Sequence, residues 1–312
     1  MTAFAFVFPG QGSQSVDMLG AWGDHPAVRE TLAEASSALG ENIGQLIAQG
    51  PKEALELTTN TQPVMLTAAI ACYRAWLHAG GALPAAVAGH SLGEYSALVA
   101  AGVLTLEQAL PLVRFRAQAM QNAVPVGAGA MAAILGLDAA QVQSVCAQVA
   151  AKTGQAVAPA NFNDPKQTVI AGHRVAVDLA CEELKAAGAK RALLLAVSAP
   201  FHSPLMRPAA EALRQRLEEL TLQAPQIPIV NNIDVAVQNE PAAIKDALVR
   251  QAFGPVRWVE VTQALRDRGL HHIFECGPGK VLAGLIKRID AQLSTTTVFD
   301  PASLKQAQEL LA

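Results

Sequence analysis

"VAGHSLGEYSALVAAG", residues 87–102, decides the fold. The small apolar run "AAVAG" at 85–89 reads as a strand, and "LGEYSALVAA" behind it has helical spacing. Between them stands Ser91, with Gly89 two residues before it and Gly93 two residues after. Strand, Gly-x-Ser-x-Gly, helix is the pattern of a nucleophile elbow. The turn is so tight that the positions two before and two after the serine must lack bulk, and it pushes the hydroxyl out at the carboxyl end of a sheet. A helix starting at Leu92 offers unpaired N–H groups and partial positive charge where an oxyanion would form. The same five residues also fit a tight strand–helix turn with an incidental serine, so the rest of the chain must supply the context.

Outward from the elbow, the chain alternates strand and helix. "FAFVF" at 4–8 is a buried-strand pattern closed by the turn "PGQGSQ", and helical periodicity covers 27–38 and 62–79. Thr105 with Gln108 makes a capping box for a helix that carries Arg114 and Arg116, and Pro111 inside it should kink the helix or delay its start. From 125 the order becomes strand 129–137, helix 138–152, strand 156–162, strand 167–172, helix 174–188 and strand 191–198. This β-α-β-β-α-β order is the ferredoxin-like arrangement. Alternation then resumes with a helix at 204–220, strand 227–233, helices at 241–252 and 258–268, strand 271–276, a helix after "GPGK" to about 290 and a strand in "TTTVF". The expected fold is α/β: an α/β-hydrolase-like, mostly parallel sheet built from 1–124 and 200–312, with a ferredoxin-like subdomain inserted at 125–199.

Bulk composition suits an enzyme. The 312 residues are 51% hydrophobic, 16% charged and only 4% aromatic, which gives a sizeable core packed mainly by Ala, Gly, Leu and Val. A net charge of −3 without a long basic run argues against nucleic acid as a partner. The N-terminus lacks a basic flank and is stopped by Pro9-Gly10, so it reads as a strand and not as a signal peptide. The uncharged run 117–137 is interrupted by Gln118, Gln121, Asn122, Pro125 and glycines, and would not span a membrane. Cys72, Cys146, Cys181 and Cys276 form no metal or redox pattern and read as reduced fillers in a cytoplasmic protein, with a chemical role left open only for Cys276 beside its Gly-Pro-Gly turn.

A serine nucleophile needs a base. Of seven histidines, His90 adjoins the serine and should point elsewhere, while His25, His78, His173, His271 and His272 read as structural or surface residues. His202 stands apart, in the loop "VSAPFHSPLM" between Pro200 and Pro204. No acid is obvious beside it, since Asp138, Asp164 and Asp178 all fall in the inserted segment. A Ser–His dyad held by amide or carbonyl groups is therefore expected in place of a triad. Two look-alikes fail: "GQGSQS" has Ser15 where a dinucleotide fingerprint needs its third glycine, and "CGPGKVL" lacks the spacing and following Ser/Thr of a Walker A loop.

With these pieces in order, the sequence resembles the malonyl-CoA:acyl carrier protein transacylases of fatty acid synthesis and the related acyltransferase domains of polyketide synthases. The resemblance runs from "FPGQGSQ" through "GHSLGEYSALV", "RFRAQAMQ", "NFNDPKQTVIAG" and "PFHSPLM" to "VNNI", "VRQAFGPVRW" and "GPGKVL". It implies that Ser91 carries the acyl group and His202 is its base. It further implies that the N–H groups of Gln11 and Leu92 form the oxyanion hole, that Arg116 binds the malonyl carboxylate, and that Gln251 helps to orient His202. Phe201, before the histidine, goes in polyketide relatives with malonyl over methyl-branched units. Malonyl-CoA and a transiently bound acyl carrier protein are then the partners of a monomer, with no metal or other cofactor. A carrier protein is acidic, so Lys190-Arg191 and Lys287-Arg288 are candidate docking clusters. Alternatives are a transferase serving a polyketide synthase or a malonate-degrading complex, or a serine thioesterase or hydrolase with the same dyad.

Overall fold

The computed structural model describes residues 2–312. Its described residues form nine strands: β1 (Phe4–Phe8), β2 (Ala86–Gly89), β3 (Gly129–Leu135), β4 (Val157–Asp164), β5 (Gln167–His173), β6 (Arg191–Leu194), β7 (Ile229–Val230), β8 (His272–Cys276) and β9 (Thr297–Val298). Five make a wholly parallel sheet in the order β7-β2-β1-β8-β9, and four an antiparallel sheet in the order β4-β5-β3-β6.

β1 runs through the middle of the parallel sheet, and its period-2 alternation sorts two cores. Phe4, Phe6 and Phe8 face the larger core, where Phe6 meets Trp76 edge-on at 5.2 Å and Tyr73 at 6.1 Å. Trp76 and Tyr73 belong to the helix Thr58–His78, which is buried nearly all round and so needs no polar face. Ala5 and Val7 point the other way, to Trp258, Val261 and Leu265 of the helix Trp258–Asp267 and to Leu282 and Ile286 of the helix Val281–Ile289. Helices thus cover both faces, as an all-parallel sheet requires.

The antiparallel sheet follows the same rule. Ala130, Ala132 and Ile134 of β3 pack on the helices Ala139–Thr153 and Arg174–Ala186, while Met131 and Ala133 turn to the larger core. The smaller sheet is therefore sandwiched between its own two helices and the main body.

Several boundaries differ from the sequence expectation. Thr105 caps the helix Leu106–Asn122 as a capping box, and Pro111 sits inside it without delaying its start. The expected strand 191–198 pairs only over Arg191–Leu194; Leu195 N–H still reaches Met131 O, and a turn from Val197 N–H to Leu195 O then ends the ladder. The expected helix 204–220 is a short 3₁₀ turn, Pro204–Met206, followed by the helix Arg207–Glu218 with Pro208 in its first turn. In the expected strand 227–233 only Ile229 and Val230 pair: Asn231 turns into a loop in which its Oδ1 accepts the Asp234 N–H, and Asn232 leaves the sheet toward the turn after β2. The short helices Ile43–Gln49 and Lys52–Glu56 and the closing helix Pro301–Leu311 have no counterpart in the sequence reading. Among the described residues no helix is long and apolar enough to cross a membrane.

Candidate active site

The turn between β2 and the helix Gly93–Ala100 places Ser91 at φ 52°, a left-handed conformation that a serine adopts only when its surroundings hold it there. Both flanking glycines are dictated by contact. A Cβ on Gly89 would collide with the backbone of Gly93 and Glu94, and one on Gly93 with the carbonyl of Phe8 in β1. The strain is held by Asn232, just beyond β7: its Oδ1 accepts the Ser91 N–H at 2.8 Å and its Nδ2 donates to Gly89 O at 2.7 Å. One buried amide thus spans the turn.

Ser91 Oγ lies 2.6 Å from His202 Nε2. His202 is itself at φ 59°, between Pro200 and Pro204. Its Nδ1 sits 2.9 Å from Gln251 O and 3.2 Å from Gly254 O, both acceptors only, so Nδ1 carries the proton and Nε2 presents a lone pair to the serine. Burial, then the Arg116 charge, pushes the imidazole down to about 3 despite those carbonyls, leaving it neutral with its Nε2 lone pair free at ordinary pH.

Arg116, inside the helix Leu106–Asn122, is 2% exposed. Its Nη1 donates to Gln62 Oε1 at 2.9 Å and its Nη2 to Gln251 Oε1 at 3.0 Å and Ser91 Oγ at 3.3 Å, while Nε has no partner. The guanidinium also lies 5.3 Å from the Tyr95 ring centre. Burial pulls it below its usual range, against the opposing pull of Tyr95 and Glu94. Among the described residues no carboxylate comes within ion-pairing distance of it. A buried cation without an anion, on the cavity wall beside the serine, has the chemistry that recognition of a carboxylate would need.

These groups line a cavity of about 430 Å³ walled by Gln11, Leu92, Met131, Asn161, Phe201 and the segment Leu195–Val197, so both sheets contribute. Among the described residues nothing accepts from the N–H of Gln11 or Leu92. The Gln11 side chain reaches Thr58 Oγ1 at 3.4 Å. His90 is turned from the dyad, with Nε2 2.8 Å from Asn163 Oδ1. Gln251 reaches His202 through its backbone carbonyl, and its side chain serves Ser91 O, Glu94 and Arg116 instead. The Cys276 thiol is fully buried, and burial holds it well above the ordinary thiol range, which leaves it inert.

None of the four basic docking candidates lines the cavity. Lys190 and Arg191 are exposed on the smaller sheet, whereas Lys287 Nζ donates to Leu293 O at 2.7 Å and Arg288 is paired with Asp164 at 2.7 Å. Sequence reasoning missed Gln62, Glu94 and Asn232. Glu94 carried a signal, as the lone charge in the helix Gly93–Ala100; the other two became visible only once distant segments met.

Comparison with known proteins agrees with this geometry. Residues 5–298 match the model of the acyl transferase domain. The malonyl CoA-acyl carrier protein transacylase of Salmonella typhimurium is 52% identical over 98% of this chain and 99% of its own. The crystal structure of an acyl-carrier-protein S-malonyltransferase from Burkholderia pseudomallei is 64% identical, with a TM-score of 0.97 over 99% of this chain and 100% of that one. A malonyl-transacylase solved in complex with a holo type II polyketide acyl-carrier protein is 50% identical, with a TM-score of 0.97 over 99% and 100%. With the elbow, the dyad and near-complete alignment in agreement, the chain belongs to the acyl transferase domain family.

Proposed function

We propose that this enzyme moves a malonyl group from malonyl-CoA to the phosphopantetheine thiol of an acyl carrier protein, through a malonyl ester on Ser91, in fatty acid synthesis. The observation that carries this reading is Arg116, a buried guanidinium on the cavity wall, 3.3 Å from the serine oxygen and with no carboxylate partner among the described residues. An acetyl group offers it nothing; a malonyl group ends in the carboxylate it lacks.

In the first half-reaction His202 Nε2 takes the Ser91 proton as Oγ attacks the thioester carbonyl. The developing oxyanion is received by the N–H groups of Gln11 and Leu92. The tetrahedral intermediate collapses, and the CoA thiol leaves with the proton from His202. The carrier's thiol then gives its proton to His202 and attacks the malonyl-serine ester, and Ser91 recovers a proton as it departs. The thioester supplies the driving force, so the chemistry requires no metal or other cofactor. Gln251 O and Gly254 O hold the imidazole without a carboxylate. Phe201, on the cavity wall, occupies the space that an α-methyl branch would need, worth about 1–3 kcal/mol of discrimination.

In this reading residues 125–199 act as a subdomain over the carboxyl edge of the parallel sheet, supported by the Met131, Asn161 and Leu195–Val197 contributions to the cavity. Lys190 and Arg191 are the better docking candidates for an acidic carrier, because they are exposed and free of ion pairs among the described residues. The enzyme acts as a cytoplasmic monomer that the carrier visits transiently. Incubation with malonyl-CoA followed by intact mass tests the reading: a malonyl adduct should form, persist in buffer, and discharge on adding holo carrier. An adduct lost to water at the same rate without carrier would make the enzyme a hydrolase, and no adduct would remove Ser91 from any acyl chemistry.

A further inference from the structure

Glu94 is 3% exposed and is the only charged side chain of the helix Gly93–Ala100. Its Oε2 accepts the Asn232 backbone N–H at 2.9 Å and Gln251 Nε2 at 3.1 Å. The same Gln251 nitrogen donates to Ser91 O at 3.0 Å, so both of its hydrogens are used. The opposite end of that amide, Oε1, therefore faces Arg116 and accepts from Nη2 at 3.0 Å. Rotating the amide by half a turn would set an NH₂ group against a guanidinium and an oxygen against a carboxylate, both repulsive. Glu94 thus decides which end of Gln251 meets Arg116, although among the described residues it forms no ion pair with that arginine itself.

We propose that Glu94 is a positioning residue for malonyl recognition: it fixes the Gln251 amide, and the amide holds the Arg116 guanidinium on the cavity wall beside Ser91, where the malonyl carboxylate would bind. The inference rests on the reading of Arg116 as the carboxylate receptor. What Glu94 contributes is an acceptor oxygen in a fixed place more than a charge. Burial outweighs its hydrogen bonds to Asn232 and Gln251 and the nearby Arg116, and raises its carboxyl to about 7, so it spends much of its time neutral near physiological pH. An amide in its place keeps a carbonyl oxygen where Asn232 and Gln251 need one; a thioether of similar length does not.

The test is the ratio of kcat/KM for malonyl-CoA to that for acetyl-CoA, measured in the wild type, Glu94→Gln, Glu94→Met, Arg116→Ala and the Glu94→Met/Arg116→Ala double variant, with melting temperature as the check on folding. Loss of one buried acceptor in the Met variant should lower the ratio by about ten-fold. Glu94→Gln should keep the ratio within about three-fold of the wild type, since the acceptor remains. In the Arg116→Ala background Glu94→Met should leave the ratio unmoved, because the arm it positions is gone. A purely structural glutamate would lower both donors together and leave the ratio intact, which overturns the proposal. An unchanged ratio in Arg116→Ala would overturn the malonyl-receptor reading and this inference with it. A changed ratio there with none in Glu94→Met would remove Glu94 alone. Glu94→Ala replaces the Met variant if that does not fold. If neither folds while Glu94→Gln does, Glu94 belongs to the fold and the proposal falls.

Discussion

β1 has two neighbours in the parallel sheet, β2 and β8, and each leaves the sheet through a glycine-rich turn into a helix. The two turns end oppositely. After β2, the turn lifts Ser91 to φ 52° and leaves the Leu92 N–H without an acceptor among the described residues, while Glu94 is drawn away to Asn232 and Gln251. After β8, Gly277 and Gly279 take positive φ, and Glu275 turns its own carboxyl onto the start of the helix Val281–Ile289. Its Oε2 accepts Ala283 N–H at 2.9 Å, in the first turn of that helix. A helix N-terminus is a ready receptor for negative charge. Here one receives no acceptor from the protein, which under the proposed function leaves it open for an oxyanion during reaction, and the other is filled permanently by the protein. Topology alone does not make a catalytic turn; what decides is whether the chain's own acceptors have been kept out of it.

Three substitutions probe the open turn. Ser91→Ala removes the hydroxyl that, in the proposed mechanism, carries the acyl group. The malonyl adduct should vanish from intact mass while the melting temperature barely changes, because the Asn232 clasp binds only backbone atoms of the turn. An adduct surviving in this variant would place the acyl group elsewhere. His202→Ala should slow both half-reactions together, by roughly 10²–10⁴-fold for a general acid–base. A pH profile sharpens the point. With the imidazole pushed down to about 3 from an ordinary 6.5, His202 is neutral throughout the working range, so adduct formation should show no acidic limb near 6.5. A midpoint there would mean that the histidine is far better hydrated in solution than its burial implies.

Arg116→Ala tests the wall of the open turn. Hydrogen bonds to a charged group contribute about 1.5–3 kcal/mol, so malonyl-CoA should lose roughly 10–150-fold in kcat/KM. Acetyl-CoA, with no carboxylate, should lose much less. Equal losses on both donors would make Arg116 a prop for Gln62, Gln251 and Tyr95 and not a receptor.

The contrast between the turns also marks what could be read from the sequence. The elbow, the two sheets and the β-α-β-β-α-β order were legible because period-2 and period-3.6 patterns and glycine spacing are local. Phe4, Phe6 and Phe8 alternate as a strand whichever helix they will meet. The dyad was half legible: Ser91 lies in a motif, but His202 emerged by elimination among seven histidines. Asn232, Gln62 and the division of labour within Gln251 were not, since each acts across at least 49 positions of chain, at 141 for Asn232 with Ser91. Where strands were drawn too long, at 191–198 and 227–233, the lost residues are those that leave the ladder to build the cavity wall and the clasp. The plugged turn was rejected as a phosphate loop on spacing; that Glu275 already occupies the helix end is a reason only the fold supplies.

The filled turn gives the smallest effect, and one confined to stability. Glu275 is fully buried, and its Oε1 has no partner, so burial outweighs the backbone N–H groups at the helix start and raises the carboxyl to about 7 from 4.5. Its folded pKa lies above its unfolded one, so the folded state holds a proton that the unfolded state has released across that interval. The stability this contributes is complete below about 4.5 and is lost as pH rises through about 7. Glu275→Gln keeps the acceptor oxygen for the helix and cannot ionise, which removes this slope. Between pH 5 and 8 the variant should therefore gain on the wild type, by on the order of 1–3 kcal/mol, or a few degrees in Tm. Transferase activity should stay at the wild-type level, because the residue touches neither the cavity nor the dyad. If the difference in Tm is the same at both pH values, the carboxylate is ionised when folded and the helix end solvates it better than its burial suggests. If activity falls with it, the two turns are coupled through β1, and the division between an open and a filled helix end is not independent.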